Sequence, residues 1–192
     1  MPLTITGSAS GNTLSHGANT IHLYNTNVVV ADSTLMSSGA VVQTVSKRVD
    51  TMSTWTAPIG TNTIVSDLDL TITPKYSTSR ILITYMISFE MFYNTVFRLG
   101  RNGVEIVRNN TDANRWSGWV NPGYDVDDAS TPRTNFYVWV DSPATVAATT
   151  YNLMISSSDS AARTLALNRA TNSWGADNYE TGISYVMLQE IA

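Results

Sequence analysis

No cysteine occurs among the 192 residues, which excludes disulfides, thiolate nucleophiles and cysteine-ligated metal centres. Only two histidines, His16 and His22, are present. Two imidazoles with no thiolate make a poor zinc site, and both lie in the most polar stretch of the chain. Charge is scarce as well. Asp, Glu, Lys and Arg make up 14% of the residues, against about a quarter in an average soluble domain. The formal net charge of −4 has the wrong sign for a phosphate-reading surface, so no nucleic-acid partner is expected. No run approaches the roughly 20 apolar residues of a membrane-spanning helix, so no membrane partner is expected. Met1-Pro2-Leu3-Thr4-Ile5 lacks the basic start and apolar core of a secretion signal. Synthesis in a cytoplasm, without export by the ordinary route, is the expectation.

Chemical motifs are equally sparse. Nothing resembles a Gly-x-Ser-x-Gly nucleophile elbow, and Gly100 and Gly103 fit a hairpin better than a phosphate cradle. Asp125, Asp127 and Asp128 could supply hard oxygen ligands to a cation. Their spacing lacks the glycine and terminal glutamate of a calcium loop, so a solvated acidic loop is the competing reading. Asp67 and Asp69 share a strand face with Val65 and mark an exposed or interface face rather than an acid–base pair. The expectation is a chain that is not an enzyme and has no cofactor.

What is plentiful is Ser, Thr and Asn, whose side chains compete with helical backbone hydrogen bonds and suit sheets and turns. With 43% hydrophobic residues a real core can form. Residues 1–45 carry few large side chains and read as an extended N-terminal arm, with a flexible leader as the alternative. Val28-Val29-Val30 and Ala40-Val41-Val42 are the apolar runs in it, separated by Ser37-Ser38-Gly39. Val28, Val29, Val30, Val41 and Val42 are candidate interface residues, able to add strands to a partner's sheet edge.

From residue 46 the pattern becomes a succession of strands. Ile64 to Ile72 reads as one strand, stopped by Pro74. In Arg80–Tyr93, Ile81, Ile83, Tyr85, Ile87, Phe89 and Met91 recur at period two and should face one core. The opposite face, with Leu82, Thr84, Met86, Ser88, Glu90 and Phe92, mixes apolar and polar groups. Leu82, Met86 and Phe92 are therefore candidates for cover by a neighbouring subunit. Asn102-Gly103 between Val96–Leu99 and Val104–Val107 signals a tight hairpin, because both residues tolerate positive φ. A loop spans Asn109 to Pro132. In it Trp116 and Trp119, with Tyr124 and later Trp174, can anchor an interface, stack on sugars or cap the core. Phe136–Val140, Thr149–Ile155, Leu165–Leu167 and Ile183–Leu188 complete about eight short strands, which indicates an all-β sandwich or jelly roll over 46–192.

Leu70-Thr71-Ile72-Thr73-Pro74-Lys75-Tyr76-Ser77-Thr78-Ser79-Arg80-Ile81-Leu82-Ile83 resembles a signature of a domain in tailed-bacteriophage virion proteins, several of them from marine or cyanobacterial phages. In that signature an Ile-Thr-Pro is followed by a Ser/Thr-rich turn and then Lys/Arg-Ile-Leu-Ile. Tyr137-Val138-Trp139-Val140-Asp141-Ser142-Pro143 resembles the family's Tyr-apolar-Leu-Asp-Ser-Pro element, with Val140 where leucine is usual. Thr149-Thr150-Tyr151, Met187-Leu188-Gln189-Glu190-Ile191 and the upstream Met36 to Gln43 are also similar, so the likeness spans roughly 36–192. These are turn and core motifs, and no active-site residues come with them.

The resemblance implies a jelly roll of the trimeric tumour-necrosis-factor and C1q type in a virion structural protein, made in the host cytoplasm and carried on the particle surface. The leading expectation is a homotrimeric head decoration, or cement, protein that clamps the major capsid protein. The chain is short for a tail anchor, shaft and knob together, whereas an arm and a jelly roll suffice for a clamp. The alternative is a tail fibre or receptor-binding tip, for which a host surface glycan would be the partner. A carbohydrate-active enzyme is the third class weighed, and no convincing acid pair supports it.

Overall fold

The computed structural model describes residues 6–8, 11–16, 19–24, 27–30, 38–107, 116–123, 131–171 and 179–192. All regular structure among them is extended, apart from one 3-10 turn. Strands β1 (Thr6–Ser8), β2 (Gly11–His16), β3 (Asn19–Tyr24) and β4 (Asn27–Val30) come first. Then come β5 (Val41–Val49), β6 (Ser53–Ala57), β7 (Thr63–Ile64), β8 (Leu70–Ile72) and β9 (Arg80–Met91). The hairpin β10 (Thr95–Arg101) and β11 (Val104–Val107) precedes β12 (Arg133–Asp141), β13 (Thr149–Ser157), β14 (Arg163–Leu167) and β15 (Ser184–Ile191).

Two antiparallel sheets pack face to face. In the first, β15 lies between β5 and β9. Phe89 is paired with both Arg133 of β12 and Leu167 of β14. These two strands therefore flank β9 on opposite sides, and β12 forms one edge of the sheet. β14 continues the line of β15, and β6 continues that of β5. The second sheet runs β11-β10-β13, and β7 and β8 share the far side of β13.

The period-two expectation for β9 holds. Ile81, Ile83, Tyr85, Ile87 and Phe89 are all buried, facing Phe97, Leu99, Leu153 and Ile155 of the second sheet in one cluster. Phe89 and Phe97 pack across the sandwich with ring centroids 5.3 Å apart. Asn102 and Gly103 take φ of 52° and 79°, as the hairpin signal requires. The single strand expected from Ile64 to Ile72 is instead broken by the 3-10 turn Ser66–Leu68. Leu68 N–H donates to the Val65 carbonyl and Asp69 N–H to that of Ser66. The turn buries both Val65 and Leu68, which a straight strand would place three residues apart on opposite faces.

In the N-terminal stretch, strands β1 to β4 form a four-stranded antiparallel sheet of order β1-β2-β3-β4. Val28, Val29 and Val30 pair with Leu23, His22 and Ile21 of the same chain. Neighbouring strands joined by short connections close at little loop entropy. Val41 and Val42 likewise open β5, in which Val41 pairs with Ile191. Residues 41 to 45 thus pair with β15 in the first sheet.

Two buried carboxylates fasten the loops. Glu190 on β15 accepts N–H bonds from Lys75 at 2.8 Å and Tyr76 at 3.1 Å, and the Gln43 amide at 2.6 Å. The Ser/Thr-rich turn after Pro74 and the Gln-Glu-Ile ending, noted separately in the sequence, thus meet in space. Glu90 on β9 accepts from the backbone N–H and hydroxyl of both Thr131 and Thr171. Burial by itself pushes its pKa up. The bonds from Thr171 and Thr131 outweigh that, and the carboxyl stays below its usual value.

Candidate interaction surface

Inward alternation on β9 sends its other residues to the outer face of the first sheet, and the register fixes their neighbours. Phe136, Met86, Tyr185 and Arg48 stand side by side across β12, β9, β15 and β5. Val138, Thr84, Met187 and Ser46 form the next row, and Val140, Leu82, Gln189 and Thr44 the one after. The face grades from apolar at β12 to polar at β5. Phe136 is 68% exposed and Val138 55%, with Val140 also exposed. Leu82, Met86, Tyr185 and Met187 beside them are half-buried.

β12 is also an edge. It spans nine residues, and no strand pairs its outer side among the described residues. Long edges are usually blunted by Lys, Pro or a bulge. β12 has none of these between Arg133 and Asp141, and its register with β9 is unbroken. Each exposed Phe or Val would contribute roughly 1.5–3 kcal/mol if fully buried. Such a combination of open edge and apolar face matches the core of a protein–protein interface.

The expected interface residues divide accordingly. Leu82 and Met86 lie on this face. Phe92 lies just past the end of β9 and is half-buried. Trp119 is half-buried and packs against the core. Its N–H donates to the Phe97 carbonyl at 2.8 Å, and its ring packs at 6.2 Å from Tyr85 and 5.8 Å from Tyr137, closing the side of the core. Val28, Val29 and Val30 are described only as backbone. Phe136, Val138 and Val140 were read from the sequence as an ordinary strand. Their exposure follows from the edge position of β12, which no local pattern encodes.

Trp116 lies elsewhere, at one end of the sandwich. It lines a cleft of about 320 Å³ together with Tyr93, Asn94, Thr95, Val96, Asn121, Gly123 and Ser158. Trp116 is 41% exposed. Behind it Arg98, almost wholly buried, donates from Nε to the Ser117 carbonyl and from Nη1 to Asn62.

Among the described residues no group of three or more His, Asp or Glu side chains is placed to hold a metal. Among the described residues no helix is long and apolar enough to cross a membrane. Asp67 is engaged by the Ser53 hydroxyl and the Trp55 indole N–H. Asp69 is half-buried, and that burial raises its pKa. Asp125, Asp127, Asp128, Tyr124 and Trp174 lie outside the described residues. His16 and His22 sit on β2 and β3. No protein-family model matches the chain, and no curated protein matches it.

Proposed function

We propose that this chain is a structural subunit of a tailed-bacteriophage particle that assembles as a homotrimer and decorates the head, clamping the major capsid protein. The observation that carries the proposal is the outer face of β9 and β12, with Phe136, Val138 and Val140 exposed, beside a sheet edge that no strand pairs among the described residues. A face of this kind is most simply buried by a symmetric copy of itself, and closed rings of like subunits are the common solution. The strand order supports the jelly-roll part of the reading. Taking β5, β8, β9, β10, β11, β12, β13 and β15 as eight successive strands, the sheets run first-eighth-third-sixth and second-seventh-fourth-fifth. That order is the one expected of two Greek keys set back to back. The phage and trimer parts rest on the sequence resemblance, and the contact between Glu190 and the turn at Lys75 and Tyr76 gives two of its motifs, the Ser/Thr-rich turn and the C-terminal ending, a shared physical reason.

The N-terminal sheet is the element we assign to attachment. Its outer strands β1 and β4 are both edges in the four-stranded order, and edges accept a partner's strand through backbone bonds alone. The Trp116 cleft favours a second reading, a receptor-binding tail tip, because an exposed indole in a cleft suits a ligand rather than a capsid lattice. Electron microscopy of phage particles carrying a label on this chain separates the two. Label spread over the head supports decoration, and label confined to the tail overturns it in favour of the tip.

A further inference from the structure

The end cleft differs in composition from the outer face of β9 and β12. We propose that it is a binding subsite for an uncharged sugar ring, with Trp116 as the stacking platform. The proposal is independent of the assembly reading, since every residue it uses is within one chain.

Four observations support this assignment. The first is the chemistry of the lining. Asn94, Asn121 and Ser158 offer amide and hydroxyl groups that both donate and accept, which complements sugar hydroxyls that do the same. Among the described lining residues none carries a carboxylate or an ammonium group. Of the guanidinium groups nearby, Arg98 lies 3.5 Å from Glu105 and Arg163 pairs with Asp159, while the Arg133 guanidinium lies beside Gly123 at the rim.

The second is Trp116. An indole is a large, rigid apolar surface, well suited to the C–H face of a pyranose. The Arg98 guanidinium carbon lies over its ring, 5.9 Å from the centroid. Tyr93 cannot serve in the same way on its covered side, because the Arg163 guanidinium lies over its ring at 3.8 Å.

The third is Thr95. It is buried, and its Oγ1 has no hydrogen-bond partner. Buried hydroxyls are nearly always partnered, and an orphan at the wall of a cleft points to a group that arrives from outside.

The fourth is the shape. The volume of about 320 Å³ falls at the small end of ligand sites, which run from roughly 300 to 1,000 Å³. The rims are held together, since Ser158 N–H donates to the Asn94 carbonyl at 2.9 Å. Tyr93 beside it has φ of 58°, a left-handed backbone that persists only where surrounding structure dictates it.

The test uses the full chain and methyl glycosides of glucose, galactose, mannose and N-acetylglucosamine, with glucuronic acid as the charged counterpart. Binding is read by saturation-transfer NMR and titration calorimetry. At least one neutral glycoside should bind in the millimolar range, as a single small ring allows. Trp116→Ala should weaken that binding at least tenfold with an unchanged thermal midpoint. Asn121→Asp, which keeps the side-chain shape but removes the amide donors, should weaken it several-fold. Trp139→Ala, an exposed indole outside the cleft, should leave it unchanged. Absence of binding by every neutral glycoside, or full binding by Asn121→Asp and Trp116→Ala, overturns the site. Binding of glucuronic acid alone overturns the uncharged class.

Discussion

Replacing Glu190 by alanine should be among the most damaging changes outside the apolar core. The Glu190 carboxylate is buried and accepts two backbone N–H groups, Lys75 and Tyr76, and the Gln43 amide. Hydrogen bonds to an ionised acceptor contribute about 1.5–3 kcal/mol each, and a buried donor left without a partner costs about 1–3 kcal/mol. The Gln43 amide has a second acceptor in the Thr73 carbonyl at 2.7 Å, so its loss is softened. The two backbone donors have no such alternative, and together they set the expected cost at about 3–5 kcal/mol. Against a total stability of roughly 5–15 kcal/mol, that is enough to shift the unfolding transition far. Glu190→Gln keeps an acceptor for the two N–H groups but turns an amide toward the Gln43 amide, and should cost about 1–2 kcal/mol. Urea unfolding at one fixed protein concentration measures both, since self-association would make stability concentration-dependent. An alanine variant within 1 kcal/mol of the parent, or a glutamine variant as costly as alanine, would refute the carboxylate as the fastener of this turn.

The Glu90 carboxyl is held below its ordinary value of 4.5 in the folded chain. Its contribution to stability is therefore full above that value and lost as pH falls through the lower folded one. Glu90→Gln should flatten the acid limb of a stability–pH curve, and an unchanged limb contradicts this. A β-carbon at Gly118 would lie 2.7 Å from the Phe97 carbonyl and 2.9 Å from Val96 Cβ, whereas at Gly100 it would meet the movable end of Met154. Gly118→Ala should therefore cost at least about 2 kcal/mol more than Gly100→Ala in urea unfolding, and equal costs would argue against that contact. Asn102→Ala loses the bond from Thr150 N–H to the side chain and places alanine at φ 52°. A loss of about 1–3 kcal/mol is expected from the strain and the missing acceptor, and a neutral thermal midpoint would count against it.

How far the sequence could be read depended on whether the deciding contacts were local. The long alternation in Arg80–Met91 is a local pattern, and so is the Asn-Gly turn, and both carried over into the fold. The break at Ser66–Leu68 was hidden because the apolar residues on either side keep the spacing of a strand. β5 went unread beyond its first two residues because Gln43, Thr44, Ser46, Lys47 and Arg48 dilute the apolar signal on a half-exposed edge strand. Trp116 and Trp119 look alike in sequence. Only the pairing of residues 119 and 120 with Phe97 turns one ring into the core and leaves the other at the cleft. Glu90 and Glu190 gave no signal at all, because their donors, backbone N–H groups with two threonine hydroxyls and the Gln43 amide, come from segments far along the chain. The apolar face of β12 was equally silent, since exposure there depends on which strand ends the sheet.

The central claim is that this chain joins copies of itself through the β9–β12 face. Light scattering coupled to gel filtration tests it most directly, comparing the parent chain with Val138→Asp. Val138 is exposed on the outer face opposite Thr84, so an aspartate there costs the single chain little but places a charge in the middle of the assembled interface. The parent should elute at three times the 20.9 kDa chain mass and the variant at the mass of one chain, with the same circular-dichroism spectrum. A parent that elutes as a monomer, or a variant that keeps the mass of three chains, would contradict the claim.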